Sequence, residues 1–272
     1  MKLKEYLRNK LTKEEAELVP SSFDVVGDIA IFVEFPDELK KKQKIVGEAL
    51  LEMNANLGVV CKKVGKYTGK YRTAKLEIIA GEKRKETIHV ENGCKYMLDV
   101  EKVYFSPRSG NERQRISNLV KEKENVLVMF AGCGAFTIQV AKRADSVTAI
   151  EANPTAHAYA LKNVKLNKIG NVKTIKGDVT KVIPKLKETF DRIIMPLPKD
   201  AQKFLPDALK VAKKGSRIHL YQFGSDDDIE TLKKDIENVF ELNGKKCKFM
   251  NIAKAGEYAP HVHRLCFDIL VS

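Results

Sequence analysis

The stretch Asn125-Val-Leu-Val-Met-Phe-Ala-Gly-Cys-Gly-Ala-Phe136 decides the fold of this chain. Its first part, Val126 to Met129, is continuously apolar, which is typical of a parallel strand covered on both faces. The small residues up to Gly134 form a tight loop, and the spacing from Phe136 to Arg143 predicts a helix. A strand, a glycine loop and a helix in this order let backbone N–H groups approach a nucleotide-like ligand closely.

Two acidic residues follow at the ends of later predicted strands. Glu151 ends an apolar strand 19 residues after Gly132, where a carboxylate can accept hydrogen bonds from ribose hydroxyls. Asp178 follows the predicted strand Val172 to Ile175 in the same way. Strand ends that carry Gly-x-Gly, Glu and Asp favour S-adenosylmethionine in a class I methyltransferase over a dinucleotide. A dinucleotide site would continue the glycine motif, and position 137 is Thr. The alternative is an α/β domain whose loop glycines only shape turns.

The alternation of strands and helices from Asn125 onward indicates a parallel sheet. We therefore predict an α/β fold: a Rossmann-like, seven-stranded class I methyltransferase sheet, preceded by a small α+β domain. The predicted domains are residues 1–115 and residues 116–272. The predicted strands of the second domain are Val126–Met129, Val147–Ile150, Val172–Ile175, Arg192–Met195, Arg217–Tyr221, Cys247–Ile252 and Leu265–Val271, the last two antiparallel. The predicted helices lie near 136–143, 155–166, 180–187, 201–212 and 228–240.

The first hundred residues show shorter patterns. Thr12-Lys-Glu-Glu15 is a capping box that divides an amphipathic helical stretch, and Gly27-Asp28 predicts a hairpin turn. The basic run Lys40 to Lys44 begins a helix that continues to about Asn54, and its residues are typical of a solvated helix face. The predicted strands here are Val59–Val64, Lys75–Ala80, Glu86–Val90, Tyr96–Val100 and Val103–Phe105.

The composition indicates which kinds of partner and which compartment to expect for the chain. A formal net charge of +13 and a pI near 9.3 indicate a polyanionic partner, although abundant lysine and glutamate also occur in heat-adapted proteins. Five scattered cysteines without a C-x-x-C pair favour a reducing compartment and disfavour a zinc site. There is no apolar signal core and no apolar run of membrane-spanning length. We expect a cytoplasmic protein that binds a polyanion and no membrane, and we expect it to be a monomer.

The segment Tyr104-Phe-Ser-Pro-Arg-Ser-Gly-Asn-Glu-Arg-Gln-Arg-Ile116 concentrates charged residues directly before the cofactor-binding domain. A solvated helix start would also place an acid such as Glu112 near its N-terminus. A second candidate is Met195-Pro-Leu-Pro198 at the end of the fourth strand of the parallel sheet, where substrates of such sheets bind. Because position 196 is proline, it offers no side-chain acceptor, which disfavours methylation of an exocyclic amine.

Several motifs of the sequence resemble those of the Met-10+ family, in particular the archaeal and eukaryotic tRNA (guanine-37-N1)-methyltransferases. The matching motifs span roughly residues 25 to 268. They are Gly69-Lys-Tyr-Arg72, His89-Val-Glu-Asn-Gly93, the Leu98 to Arg108 segment, Glu112-Arg113, Phe130-Ala-Gly-x-Gly134, Glu151-Ala-Asn-Pro154, Asn163-x-x-Leu-Asn167, Gly177-Asp178 and Tyr258-Ala-Pro260.

The resemblance implies a role for each matching residue. Glu112 corresponds to the general base of the family, and Arg72 to its contact with guanine O6. Phe130, Glu151 and Asp178 match the S-adenosylmethionine contacts. Gly132 and Gly134 belong to the cofactor loop, Tyr104 and Arg113 border the cofactor, and Arg108, Pro196 and Pro198 lie on the substrate side. The implied partner is tRNA.

Three departures from the family pattern keep alternatives open. Val128 stands where the family usually has an acid, and Pro196 stands where it has Asn. We also expect the chain to lack the separate N-terminal tRNA-gripping domain of longer members. The last departure resembles the aminocarboxypropyltransferases of wybutosine synthesis, which use the same cofactor. A non-catalytic RNA-binding relative is a further alternative. We predict no metal, because the His261-Val-His263 pair has no third ligand nearby.

Overall fold

The computed structural model describes residues 2–69, 71 and 73–272 of the chain. Contacts within the chain divide it into two units. The first is the chain up to Glu91 together with Lys95–Pro107, and the second is Asn92–Cys94 together with Arg108–Ser272. Residues 108–115, which the sequence pattern assigns to the small domain, thus pack with the second unit. They open a helix, Gly110–Leu119, whose Ser117 hydroxyl donates to the Gln139 carbonyl at 2.9 Å.

Two short helices, α1 (Leu3–Leu7) and α2 (Lys13–Leu18), open the first unit. The predicted capping box separates them: the Glu15 N–H donates to the Thr12 hydroxyl at 3.2 Å, and the Thr12 N–H donates to the Glu15 carboxylate at 2.9 Å. The elements that follow up to residue 99 are β1 (Asp24–Val26), β2 (Ile29–Phe32), a 3₁₀ helix (Asp37–Lys42), α3 (Gln43–Met53), β3 (Val59–Thr68), β4 (Thr73–Gly81), β5 (Glu86–Glu91) and β6 (Cys94–Asp99).

A four-stranded sheet in the order β1-β2-β3-β4 organises this unit. The predicted hairpin is present, since β1 and β2 are antiparallel, and α3 allows β3 to return parallel to β2. Strands β5 and β6 form a separate pair. The apolar face of α3, with Val46 and Leu50, packs with Phe32 and Val60 in one buried cluster. Burial of such side chains supplies the main stabilisation of a small α+β unit.

The strand predicted over Val103–Phe105 is wrong. The Asp99 carboxylate accepts the backbone N–H groups of Glu101 and Lys102 at 2.9 and 3.2 Å, and the Val103 N–H donates to the Asp99 carbonyl at 3.0 Å. This turn uses locally the donors that a strand would give to a neighbouring strand.

The second unit alternates strands with helices, as predicted. Its elements are α4 (Gly110–Leu119), β7 (Asn125–Met129), α5 (Ala135–Ala141), β8 (Ser146–Glu151), α6 (Pro154–Leu166), β9 (Val172–Lys176), α7 (Val179–Val182), β10 (Phe190–Met195), α8 (Leu205–Lys210), β11 (Ala212–Gly224), α9 (Ile229–Leu242), β12 (Cys247–Ala259) and β13 (Val262–Val271). They form a seven-stranded sheet in the order β12-β13-β11-β10-β7-β8-β9. The pairs from β11 to β9 are parallel, and β13 is antiparallel to both β11 and β12. The predicted fold class is confirmed.

The predicted helices 180–187 and 201–212 are shorter than their patterns indicate. Residues Ile183–Lys185 and Ala201–Phe204 are 3₁₀ helices beside α7 and α8. Prolines explain both changes, because Pro184 and Pro206 lack the backbone donor that a continuous α-helix needs at these positions.

The core of the second unit lies on both faces of β7. Val126, Leu127, Val128 and Met129 are all fully buried, and they alternate between two apolar clusters. A strand covered on both faces explains the continuous apolar run in the sequence. It also explains why valine is accommodated at position 128. In the described part of the chain, no helix combines the length and the apolar character needed to cross a membrane.

Candidate active site

The glycine loop after β7 has the backbone conformation that its sequence predicts. Gly132 and Gly134 have φ values of 59° and 90°, in the left-handed region that favours glycine. A Cβ added to Gly132 would have no heavy atom within 4 Å, so the loop faces open space. Phe130 also has a positive φ, 57°, which is rare for an aromatic residue, and its ring packs edge-on against Phe204 at 5.0 Å. Backbone strain of this kind accumulates at ligand-binding loops.

Glu151 joins the end of β8 to this loop. Its Oε2 accepts the Gly132 N–H at 2.7 Å, and its Oε1 accepts the Asn153 N–H at 2.6 Å. Burial raises the pKa of Glu151, and these backbone donors act in the opposite direction. The carboxylate therefore holds the loop against the end of β8, and its contact with a ribose stays a prediction.

The third strand end is adjacent to the second. The Gly177 N–H donates to the Glu151 carbonyl at 2.9 Å, which places the start of the Gly177-Asp178 turn beside β8. The Asp178 carboxylate caps α7 by accepting the Thr180 N–H and hydroxyl at 3.1 and 2.9 Å. The structure thus brings together the loop glycines, Glu151 and Asp178 at the carboxyl edge of the parallel strands, where this fold binds ligands.

The predicted substrate loop, Pro196 to Pro198, lies at the same edge, because β10 pairs with β7. The Leu197 N–H donates to the Met195 carbonyl at 2.8 Å, which turns the chain tightly as it leaves the strand. The chain then reaches the 3₁₀ helix that contains Phe204, the ring partner of Phe130. The glycine loop therefore packs against the 3₁₀ helix that follows the proline loop.

Glu112 lies on α4 and is 7% exposed. Its Oε1 accepts the Tyr221 hydroxyl at 2.6 Å and Arg115 Nη2 at 2.8 Å, and its Oε2 accepts Arg115 Nε at 2.7 Å. Burial is the main cause that raises the pKa of Tyr221, and the nearby negative charge of Glu112 adds to it, so this phenol stays a donor. Glu112 is thus a buried carboxylate held by two donors.

The other candidate residues of the Tyr104 to Ile116 segment have different environments. Arg113 is almost completely buried on α4, whereas Arg108 is exposed just before this helix. Tyr104 belongs to the first unit and is 39% exposed. Arg72, the predicted O6 contact, lies outside the described residues.

Sequence reasoning missed several buried ionisable residues of the second unit. Arg192, His219 and Asp268 lie on the neighbouring strands β10, β11 and β13 and are each less than 10% exposed. His219 and Asp268 face each other in the register of the β11–β13 pair. The available signal was the presence of ionisable residues within three largely apolar strand patterns, because such residues are rarely buried without a partner.

His219, Cys266 and Asp268 are the group of potential metal ligands found among the described residues, with ligand atoms within 4.8 Å of one another. Guanidinium groups already occupy this cluster: Arg192 Nη1 lies 2.6 Å from His219 Nε2, and Arg115 Nη1 lies 2.7 Å from Asp268 Oδ2. Burial also raises the pKa of the Cys266 thiol, which disfavours the thiolate that metals bind. Two neighbouring cations oppose a metal ion here. The absence of a metal stays a prediction.

Comparisons with known proteins identify the family. The profile described as "TRM5/TYW2 methyltransferase domain" matches residues 87–250, and the profile described as "TYW2 N-terminal domain" matches residues 3–84. The chain belongs to the TRM5/TYW2 methyltransferase family. This confirms the resemblance that the sequence motifs indicate.

Relatives within the TRM5/TYW2 family include both Trm5 and TYW2 proteins. tRNA (guanine(37)-N(1))-methyltransferase Trm5b of Pyrococcus abyssi is 42% identical over 265 residues, which is 96% of this chain and 78% of the relative. The crystal structure of Pyrococcus abyssi Trm5b superposes with a TM-score of 0.87 at 41% identity and the same coverage of both chains. A complex of aTrm5 with tRNALeu gives a TM-score of 0.85 at 35% identity and covers 100% of this chain and 78% of its own. Methanocaldococcus jannaschii TYW2 in complex with AdoMet gives 0.73 at 30% identity and covers 92% and 99%.

Proposed function

We propose that this chain is a tRNA (guanine-37-N1)-methyltransferase, which transfers the methyl group of S-adenosylmethionine to N1 of guanosine 37. The observation that carries the proposal is the 42% identity, over 96% of the chain, to a relative with that name. The glycine loop with Glu151 and the buried carboxylate Glu112 supply the two functions that the reaction needs. We further propose that the protein is a cytoplasmic monomer.

The residues at the carboxyl edge fit the cofactor. Gly132 leaves open space in front of the loop, and Glu151 offers a carboxylate beside that space. We assign cofactor contacts to Phe130, Gly132, Gly134, Glu151 and Asp178. The family pattern adds Tyr104 and Arg113. When bound, S-adenosylmethionine supplies a methyl group on a sulfonium, which is already a good leaving group.

The protein residues then have to remove a proton and meet a charge. Guanine N1 carries a proton at neutral pH, and Glu112 accepts it as the methyl group is transferred. Arg72 stabilises the negative charge that shifts to O6. Arg108 and the loop of Pro196 and Pro198 hold the base, which must first leave its stack in the RNA. Catalysis here is positioning and electrostatics, without a covalent enzyme intermediate.

A second function is favoured by one observation. The profile that matches residues 3–84 is that of the TYW2 N-terminal domain. Its relatives include tRNA(Phe) (4-demethylwyosine(37)-C(7)) aminocarboxypropyltransferases. Mass analysis of tRNA nucleosides after incubation with S-adenosylmethionine separates the functions. A gain of one methyl group supports the proposal, and a gain of an aminocarboxypropyl group replaces it. No gain indicates a non-catalytic RNA-binding relative.

Binding of tRNA should depend steeply on salt. The net charge of +13 attracts phosphates, and each neutralised phosphate releases a counterion. We expect the affinity for unmodified tRNA to fall at least about tenfold between roughly 50 and 200 mM salt, since two phosphate contacts already give that change. Filter binding at several salt concentrations measures this slope. A flat profile would assign the charge to heat adaptation instead.

Replacement of Glu151 should weaken cofactor binding. We expect Glu151→Ala to raise the Kd for S-adenosylmethionine at least about tenfold, or about 1.4 kcal/mol, because it removes the ribose acceptor and releases the Gly132 N–H. Calorimetry measures the Kd. Glu151→Gln is the matched control, since its single oxygen can still hold Gly132. Unchanged affinity in Glu151→Ala would remove this carboxylate from the cofactor site.

A further inference from the structure

Six ionisable side chains form one continuous hydrogen-bonded chain inside the second unit. We call it the ion chain, and its members in order are Glu124, Arg192, His219, Asp268, Arg115 and Glu112. Arg192 Nε and Nη2 donate to Glu124 at 2.7 and 2.9 Å. At the other end, Arg115 donates to Asp268 at 2.7 Å and to Glu112 at 2.7 and 2.8 Å. Arg115 is therefore shared between two carboxylates.

The histidine in the middle of the ion chain is neutral. Arg192 Nη1 lies 2.6 Å from His219 Nε2, and a guanidinium can only donate, so Nε2 must accept. His219 Nδ1 then carries the proton and donates to Asp268 Oδ1 at 2.6 Å. Burial, the largest effect, lowers the pKa of His219 and agrees with this assignment.

The ion chain carries one excess negative charge. It contains three carboxylates, two guanidinium groups and a neutral imidazole. Tyr221 and Cys266, which face Glu112 and Asp268, are protonated because burial raises the pKa of both. Asn251 Nδ2 donates a neutral hydrogen bond to Asp268 at 3.1 Å. Arg217 reaches only the far end, 4.0 Å from Glu124, and its side chain is 41% exposed and screened by solvent.

The described contacts indicate which atom of the ion chain can accept a proton. Glu112 Oε1 accepts from both Tyr221 and Arg115, whereas Oε2 accepts only Arg115 Nε among the described residues. Oε2 thus keeps a lone pair for an incoming proton.

We propose that Asp268 is a positioning residue that keeps Glu112 able to accept the guanine N1 proton. It does so by accepting a hydrogen bond from Arg115, which would otherwise pair with Glu112 alone. This inference rests on the proposed function, in which Glu112 is the base. In the reaction, the N1–methyl bond forms as the sulfur–methyl bond breaks, and the N1 proton moves to Glu112 Oε2. The sulfonium becomes a neutral thioether, and the ion chain becomes neutral.

The test is the pH dependence of single-turnover methylation. Asp268→Asn keeps shape and an oxygen for His219 but leaves Arg115 paired with Glu112 alone, which weakens the base. We expect the plateau rate to fall about tenfold and the midpoint of the acid limb to move down by about one pH unit. Tyr221→Phe removes a donor to Glu112, so its midpoint should move up instead.

Opposite shifts of the two midpoints support the inference, and a merely structural role for Asp268 would leave the midpoint of Asp268→Asn at the parent value. Loss of rate with the parent midpoint in both variants overturns it, as does a parent-like profile for Asp268→Asn. If Asp268→Asn does not fold, Asp268→Glu takes its place: it keeps a second carboxylate for Arg115 and should retain the parent midpoint, and a midpoint moved down in this variant would overturn the inference. Failure of the proposed function is distinguishable, since the unsubstituted protein would then add no methyl group to tRNA.

Discussion

Glu112→Gln should slow single-turnover methylation by about a hundred- to ten-thousand-fold at neutral pH, the range that general base removal gives. The amide cannot accept the N1 proton, while binding of S-adenosylmethionine and tRNA should stay near that of the parent. The deficit should shrink as pH rises towards the ionisation of guanine N1, because hydroxide can then take the proton. Rapid-quench assays over a range of pH measure this.

The surroundings of Glu112 define the controls for this experiment. Both carboxylate oxygens accept donors, so glutamine turns its own N–H donors towards Tyr221 or Arg115 on one side. Thermal unfolding of Glu112→Gln should therefore accompany the kinetics. Arg72→Ala is the comparison variant, and it should lose rate at every pH, because the O6 charge must be met however the proton leaves. Methylation at the parent rate by Glu112→Gln would remove Glu112 from the mechanism.

Arg192→Met should destabilise the second unit by about 3–5 kcal/mol, the usual result of removing one partner of a buried ion pair. Arg192 is 1% exposed, and its loss leaves the Glu124 carboxylate, the Leu119 carbonyl and His219 Nε2 without their donor. Urea unfolding followed by circular dichroism measures the change in the free energy of unfolding.

Two further variants make this measurement specific. Adding Glu124→Gln to Arg192→Met should recover part of the lost stability, because it removes the unpaired charge. Lys203→Met breaks the exposed pair with Asp200 and should leave the unfolding midpoint unchanged. If the urea unfolding midpoint of Arg192→Met equals that of the parent, water reaches Glu124 and the ion chain is accessible to solvent.

The sequence predicted the parts of the molecule whose causes are local. The glycine loop follows from residues that tolerate positive φ, and Glu151 reaches Gly132 because consecutive parallel strands end at one edge. The prediction over Val103–Phe105 failed because the chain turns at Asp99, whose carboxylate accepts the N–H groups of Glu101 and Lys102 and whose carbonyl accepts the Val103 N–H. Such competition between local bonds and strand pairing is not visible in an apolar pattern.

The ion chain could not be predicted for a different reason. Its contacts join residues far apart in sequence: 49 positions separate His219 from Asp268, 68 separate Glu124 from Arg192, and 153 separate Arg115 from Asp268. They depend on β10, β11 and β13 being neighbours and on the register between them. The sequence of a single strand shows only that an ionisable residue interrupts its apolar pattern, and it does not show which residue is the partner.

The register of β11 against β13 has a consequence for how this fold can change over evolution. His219 stands directly opposite Asp268, and Tyr221 opposite Cys266, so a slip of one residue would turn each of these side chains to the other face of the sheet. A single replacement in the ion chain leaves a partner charged and unmatched in the interior. We therefore expect a replacement at one of these positions to be tolerated best when its partner changes with it, as for the pair of Arg192 and Glu124.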